Sequence, residues 1–380
     1  MLRYLYYHVL YVGMINIMLF VPHVLIEYRF KGAVSGMALA MVVGSIVAIG
    51  TSVCFRRFPG LGMYEIFDCF LPGWLTKILS SYSALTWALG GLLVVYIQAE
   101  LIRTFFNPDM NEYWNLLIMV IAALWASTRS IRTVQFAQEI LILMCAPLIF
   151  MILFKAIGNE WLNWDAIRLA AGYVRTKPSF VSFCAATFLF SGYLNLIVFN
   201  RMATAKTSNR YLWIIPIFGV FFMLVTFFVP IGFHGTAGID KYVFLWSTTA
   251  DSMEMQYGFI NRVLYLFLVL YTNLSLIFVM NAWHVTIDIL HSVFTGKVMP
   301  VDPSSTPRGH WYFAIALGVA TFVYAGFVND EWNERISVYW LINRFFAEAI
   351  LFALMIGFTV ISGKRNAHRT AKALPGGGSS

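Results

Sequence analysis

The chain has 380 residues, of which 60% are apolar, 17% aromatic and only 12% charged, and its formal net charge is +8. Soluble domains carry about a quarter charged residues, so this composition excludes a soluble globular protein and indicates a polytopic membrane protein. The surplus of Lys and Arg forms no basic cluster interleaved with stacking aromatics, so it reads as membrane orientation and nucleic acid is not an expected partner.

The first apolar run, residues 4–27, exceeds the roughly 20 residues needed to span and lacks a small-residue cleavage site, so it is expected to stay in the membrane. Near its middle lies Gly13-Met14-Ile15-Asn16, ahead of Pro22. Further apolar runs follow at 33–54, 80–105, 113–128, 135–157, 179–199, 210–232, 259–283, 310–328 and 337–362, giving ten expected crossings. The run at 179–199 is interrupted by Ser191-Gly192-Tyr193-Leu194-Asn195. Helix-weakening and amide-bearing residues inside hydrocarbon survive only beside a cavity. Their matching places at the head of each half point to a transporter-type site built from broken helices of two inverted repeats. Close helix packing at Gly13 and Gly192 is the competing reading.

Ten crossings place both ends on one side. With the termini cytoplasmic, about fifteen Lys and Arg lie inside, among them Arg56, Arg57, Arg129, Arg132, Arg201 and the 364–372 tail, while acids such as Asp109, Asp165, Asp240 and Glu331 gather outside. Residues 55–79 read as a cytoplasmic loop with a short interfacial helix at 62–70. Residues 159–179, with Trp161, Trp164 and Tyr173, read as an external interfacial segment, and 235–257 as an external loop. A single transmembrane domain over 1–374 is expected, with repeats at about 4–157 and 179–362. The Gly/Ser tail at 375–380 reads as an appended linker.

The buried polar residues supply the candidate site. A broken helix exposes amides and carbonyls that suit a zwitterion, and Asn16 and Asn195 offer side-chain amides to a ligand or to a neighbouring helix. Tyr271, Thr272, Asn273 and Ser275 make a polar step in the eighth run, open to a ligand or ion role. Trp87 and Tyr96 could wall a cavity or simply pack. Charges in apolar runs need partners. Arg344 and Glu348, four apart, form an expected ion pair with a structural role or, alternatively, a gate or proton relay. Glu139 lies near the cytoplasmic end of its run, with Arg132 as one candidate partner. His284, Asp288 and His291 share a helix face at metal-ligand spacing, but their place at the end of the eighth run favours a solvated polar face. Cys54, Cys69, Cys145 and Cys184 show no CxxC spacing and read as packing residues. No hydrolase, P-loop or dinucleotide signature appears, so neither an enzyme nor a cofactor is expected.

Arg57-Phe58-Pro59-Gly60 with Tyr64-Glu65, then Leu71-Pro72-Gly73-Trp74-Leu75, then Ala99-Glu100-Leu101-Ile102-Arg103-Thr104 ahead of Asn107-Pro108, occur in an order that resembles the spore-germination permeases, the membrane-embedded B subunits of nutrient germinant receptors. Gln138-Glu139-Ile140-Leu141 and Gly258-Phe259-Ile260-Asn261-Arg262 fit the same pattern. The resemblance implies the amino acid, polyamine and organocation transporter superfamily, with a five-plus-five, LeuT-like all-α fold whose helices 1 and 6 are broken. It also implies a small nutrient ligand such as an amino acid, partners comprising a lipoprotein and a second membrane subunit, and residence in the spore inner membrane. The chain departs from the family pattern at Ile17, within a bulkier first break, at Tyr193 and at Leu264, where acids are usual. Three functions are therefore expected in order: a nutrient-sensing receptor subunit, a secondary amino-acid transporter with or without ion coupling, and a structural or ion-conducting subunit without ligand.

Overall fold

A computed structural model describes residues 2–106, 109, 111–203, 211–242, 244–253, 263–303 and 307–373. Among these residues every regular element is helical. The first crossing is a bent pair, α1 (Leu2–Ile15) and α2 (Phe20–Glu27), which meet at 52°. Pro22 in the first turn of α2 has no N–H to continue the ladder and crowds the preceding turn, so one continuous helix is disfavoured here. Upstream, the amides tighten into three-residue turns, Ile17 N–H to the Met14 carbonyl (3.3 Å) and Met18 N–H to the Ile15 carbonyl (3.2 Å). The second crossing is α3 (Ala33–Phe55). It is capped by Gly32 at φ 95°, and a Cβ there would also overlap the Lys177 carbonyl, so only glycine fits.

A short helix α4 (Met63–Phe70) follows, then α5 (Gly73–Phe106), α6 (Glu112–Ser127) and α7 (Ile131–Ile157), which complete five crossings. After α8 (Trp164–Gly172), which leaves Trp161 and Trp164 exposed, comes the second bent crossing. Here α9 (Phe180–Thr187) tightens into a 3₁₀ stretch (Phe188–Asn195) before α10 (Leu196–Phe199), with a bend of 42°. Then come α11 (Ile214–Gly238), α12 (Leu245–Asp251), α13 (Val263–Thr295), α14 (Arg308–Phe327) and α15 (Asp330–Ala373). Seven described helices are long and apolar enough to cross a membrane, nine crossings if each bent pair is one, and the 16-residue apolar α6 completes ten. The broken crossings are the first and the sixth, each heading a set of five.

Several elements differ from the sequence expectation. α5 starts seven residues early, at Gly73, with Thr76 and Ser80 on a buried face of the helix while Trp74 and Lys77 stay exposed. α13 runs on to Thr295, which carries His284 and Asp288 into the interior at 1% exposure each; the solvated face expected there is corrected to a buried one. α4 docks into the protein through buried Met63, Ile66 and Phe67, and Phe70 stacks on Phe358 at 4.9 Å. The segment expected to be a loop at 235–257 contains α12, which is anchored by the buried Trp246.

Candidate functional site

The two broken crossings face each other across a small central cavity of about 30 Å³. α1 contributes His8, Tyr11 and Val12, and the sixth crossing contributes Phe188, Ser191 and Phe199. α5 and α13 close it with Trp87 and with Phe278, Asn281, Ala282 and Val285. The wall is mostly aromatic, and its polar groups carry no fixed charge. His8 Nδ1 lies 3.3 Å from Gln138 Oε1 on α7, and Asn281 donates to the Ile277 carbonyl (2.8 Å) while its Oδ1 has no partner. Buried amide oxygens of this kind are normally satisfied by protein or water.

At the first break, Asn16 spends its Nδ2 on the Val12 carbonyl (2.7 Å) and keeps Oδ1 unpartnered. Tyr271 reaches across from α13 to donate its hydroxyl to the Met14 carbonyl (2.9 Å). The backbone amides of Asn16, Ile17, Met18 and Leu19 are all bonded within the turn. In this conformation the break therefore offers a ligand carbonyl and amide oxygens more readily than free N–H groups. Gly13 lies inside α1, where a Cβ would overlap the Phe222 ring of α11.

At the second break, Ser191 is held by the predicted ion pair. Arg344 Nη1 donates to Ser191 Oγ (2.7 Å) and to Glu348, while Ser191 donates to Glu348 Oε1 (2.8 Å). Arg344 Nη2 donates to the Cys184 carbonyl (2.8 Å) and to Thr187 Oγ1 (3.0 Å), and its guanidinium covers the Phe188 ring at 4.7 Å. A carbonyl released where α9 tightens thus finds a cationic donor from α15.

Both ends of the cavity are shut. On the side away from the termini, Trp340 packs edge-on against Phe188 (5.3 Å), Trp87 (6.3 Å) and Phe20 (6.4 Å), and its Nε1 donates to the Thr86 carbonyl (2.7 Å). Outside this plug lies a vestibule of about 230 Å³, lined by Met18, Phe20, His23, Glu100, Asp330 and Glu334, among others. On the side of the termini, Arg201 at the end of the sixth crossing donates to Glu65 Oε2 (2.8 Å) and to Asp288 Oδ2 (2.7 Å). Asn200 Nδ2 adds bonds to the Phe58 (2.8 Å) and Leu61 (2.7 Å) carbonyls, which lock that end onto the loop before α4.

Among the residues singled out from the sequence, Asn16, Ile17, Tyr271 and Ser191 gather at the two breaks, Arg344 and Glu348 join Ser191, and Gly13 lies inside α1 against Phe222, where it serves close packing and not the break. The side chains of Gly192, Tyr193 and Asn195 lie outside the described residues. Ser275 donates to Gln98 Oε1 (2.8 Å) on α5, Asn273 donates to the Val269 carbonyl of its own helix (2.9 Å), and Tyr96 donates to the Val328 carbonyl (3.0 Å) beside the vestibule. Glu139 is half-buried on α7, and Arg132 pairs with Asp302 (3.1 Å). Sequence reasoning missed His8, Asn281, Trp340 and the Arg201 latch. His8 and Arg201 were visible as charges or rings at crossing ends, but their partners lie more than 80 residues away along the chain. Among the described residues no cluster of three or more His, Cys, Asp or Glu could hold a metal ion.

The chain has no match among curated proteins. Among solved structures it is similar to a manganese transporter from Eremococcus coleocola, crystallised with an aromatic bis-isothiourea substituted compound, at 13% identity and a TM-score of 0.48 over 94% of this chain and 78% of that one. The sequence model of the spore germination protein family matches residues 12–328, which is most of the chain. This integral membrane protein therefore belongs to the spore germination permease family.

Proposed function

We propose that this chain is the nutrient-sensing membrane subunit of a germinant-receptor-type complex, and that it takes a small, amino-acid-like ligand in the central cavity. The observation that carries this reading is the convergence of both broken crossings on one polar-aromatic cavity that is shut at both ends. A buried water needs about 10–15 Å³ of such space, so a cavity of about 30 Å³ has room for one or two waters but not for an amino acid. A ligand must push the plug or the latch aside, and a ligand that binds only the rearranged state shifts the population toward it. Binding is thereby tied to a change of shape, as a sensor requires. The family pattern supports a lipoprotein and a second membrane subunit as partners.

The presence of closures of different chemistry on opposite sides also supports the second reading, a secondary transporter working by alternating access. One experiment separates the two. The purified chain in nanodiscs is melted with each of a panel of amino acids, and the same protein in liposomes is tested for their uptake with and without a proton or sodium gradient. The sensing reading expects a saturable rise in melting temperature for at least one amino acid, its loss in Ala282→Leu, whose side chain fills the cavity, and no uptake by the chain alone. Gradient-stimulated uptake establishes the transporter reading instead. No thermal response to any amino acid, in protein that melts cooperatively, overturns both.

A further inference from the structure

Beneath the floor of the central cavity lies a second polar cluster, built around the Asp288 end of the Arg201 latch. Phe199, which lines the cavity, stacks on His284 with ring centroids 5.5 Å apart. One turn further along α13 comes Asp288, and then His291, whose ring packs against His310 of α14 at 4.8 Å. The ionisable groups turned toward this cluster are Asp288, His284 and His291 from α13, His310 from α14, Arg201 from the sixth crossing and, through Arg201, Glu65 from α4. α6 contributes only the Ser127 carbonyl. Asp68 on α4 and Arg308 on α14 are exposed.

Two observations single this cluster out. First, it is buried yet unsatisfied: among the described residues, Asp288 Oδ1, His284 Nε2, His291 Nδ1 and both nitrogens of His310 have no hydrogen-bond partner, although Asp288, His284 and His310 are at most 1% exposed. Native proteins pair nearly all such groups, with protein or with ordered water. Second, the fully buried Asp288 shares its only cation among the described residues, Arg201, with Glu65, a partly exposed carboxylate that also accepts the Gly62 N–H, so with neutral imidazoles the Asp288 charge is only partly compensated. An undercompensated charge at this depth is costly and attracts a cation.

We infer that the Asp288–His284–His291–His310 cluster is a hydrated proton-binding site that controls the Arg201 latch. His284 shows where the proton goes. Its Nδ1 lies 2.8 Å from the Ser127 carbonyl, which can only accept, so Nδ1 carries the hydrogen and Nε2 keeps a free lone pair. A proton arriving from water on the side of the termini adds to that lone pair or to an open nitrogen of His310, and the resulting N–H is donated to Asp288 Oδ1, directly or through one water. No other bond is made or broken. The new imidazolium neutralises Asp288, Arg201 loses the stronger of its two anchors, and the end of the sixth crossing is released from α13. Protonation thus opens the cavity toward the side of the termini whether the chain senses its ligand or carries it.

The test is hydrogen–deuterium exchange on the full chain in nanodiscs, corrected for intrinsic exchange, at about pH 4 and about pH 8, a range wide enough to include histidines whose charged form is disfavoured by burial. The segment 196–203 is the readout and α7 the folding control. The expected result is a loss of protection of about tenfold or more in 196–203 at the lower pH, the response of an opening equilibrium shifted by one bound proton, with α7 unchanged. Asp288→Asn should show low protection at both pH values, and the double variant His284→Gln/His310→Gln should keep high protection at both. Protection in the native chain that is independent of pH overturns the inference, as does an undiminished pH response in the double variant. An equal loss produced by Na⁺ at constant high pH would assign the site to a metal cation and overturn it as well. If either variant loses protection in α7 too, the pH and Na⁺ comparison on the native chain decides alone.

Discussion

Arg344 shows how much a single residue can carry. It is fully buried and bonds to a carboxylate, two hydroxyls and a backbone carbonyl at once. Removing one partner of a buried pair leaves the other uncompensated, at a cost of roughly 3–5 kcal/mol, whereas replacing both with apolar residues is often neutral. Arg344→Met is therefore expected to lower the melting temperature of the detergent-solubilised protein sharply, and Arg344→Met/Glu348→Leu to recover most of the loss; a double variant no better than the single one would count against the pair being isolated. Gly13 makes a second case. A Cβ there overlaps Phe222, so Gly13→Ala is expected to destabilise by about 1–3 kcal/mol, as overpacking does, and adding Phe222→Leu should restore part of it in the same melt. The pair Arg344–Glu348 could be read from its spacing alone, since four residues on a helix share a face. Its grip on Ser191, 153 residues away, could not.

Helices meet through small residues on one and large residues on the other. On α5, Gly90 and Gly91 are adjacent: a side chain at Gly90 would strike Trp340 of α15, and one at Gly91 would strike Trp283 of α13. The three long crossings pack closely because two successive positions lack a Cβ, as is common where membrane helices approach. Gly90→Leu is expected to destabilise by about 1–3 kcal/mol and to be rescued in part by Trp340→Leu, with thermal melts of the single and double variants as the check; equal melting of native and Gly90→Leu proteins would show that the helices can part without cost. The breaks themselves were legible to different degrees. Pro22 marks the first, although the turn lies at residues 16–19, beyond Gly13, because proline disturbs the residues before it. Nothing as strong marks the tightening at 188–195, where the 3₁₀ geometry goes with α9 being held by Arg344 from another crossing.

For the whole molecule, the arrangement is a cavity with an aromatic plug on one side and an ion-pair latch on the other. The plug depends on Trp340, and truncating a buried Trp or Phe to Ala costs about 3–5 kcal/mol of packing. That is more than enough to shift a gate's equilibrium tenfold. Trp340→Ala should therefore raise by about tenfold or more the rate at which a cysteine placed at Ala282 reacts with a membrane-impermeant thiol reagent added on the vestibule side, in a background with the exposed Cys69 replaced by Ser. Unchanged labelling would mean that Trp340 is packing and not a plug.

Long apolar runs, their number, the proline-marked break and the order of short motifs are properties of the chain read locally. Hydrocarbon forces each run to satisfy its backbone within itself, so sequence by itself determined the class, the ten crossings and the family. It also singled out Asn16, Tyr271 and Ser191, which the structure places at the two breaks. Whether a polar residue inside a run faces a cavity, a neighbouring helix or water depends on how the helices are rotated and how far they extend. Thr76, Asp288 and α12 were misread for that reason: polarity suggested water where neighbouring elements cover the residues, and for Asp288 Arg201 of the sixth crossing supplies the partner. Tertiary packing alone decided that Ser275 and Tyr96 serve contacts away from the breaks, that Arg201 bridges two carboxylates from distant segments, and that the cavity is shut at both ends. Those outcomes rest on contacts between residues tens to hundreds of positions apart, and no local pattern encodes them.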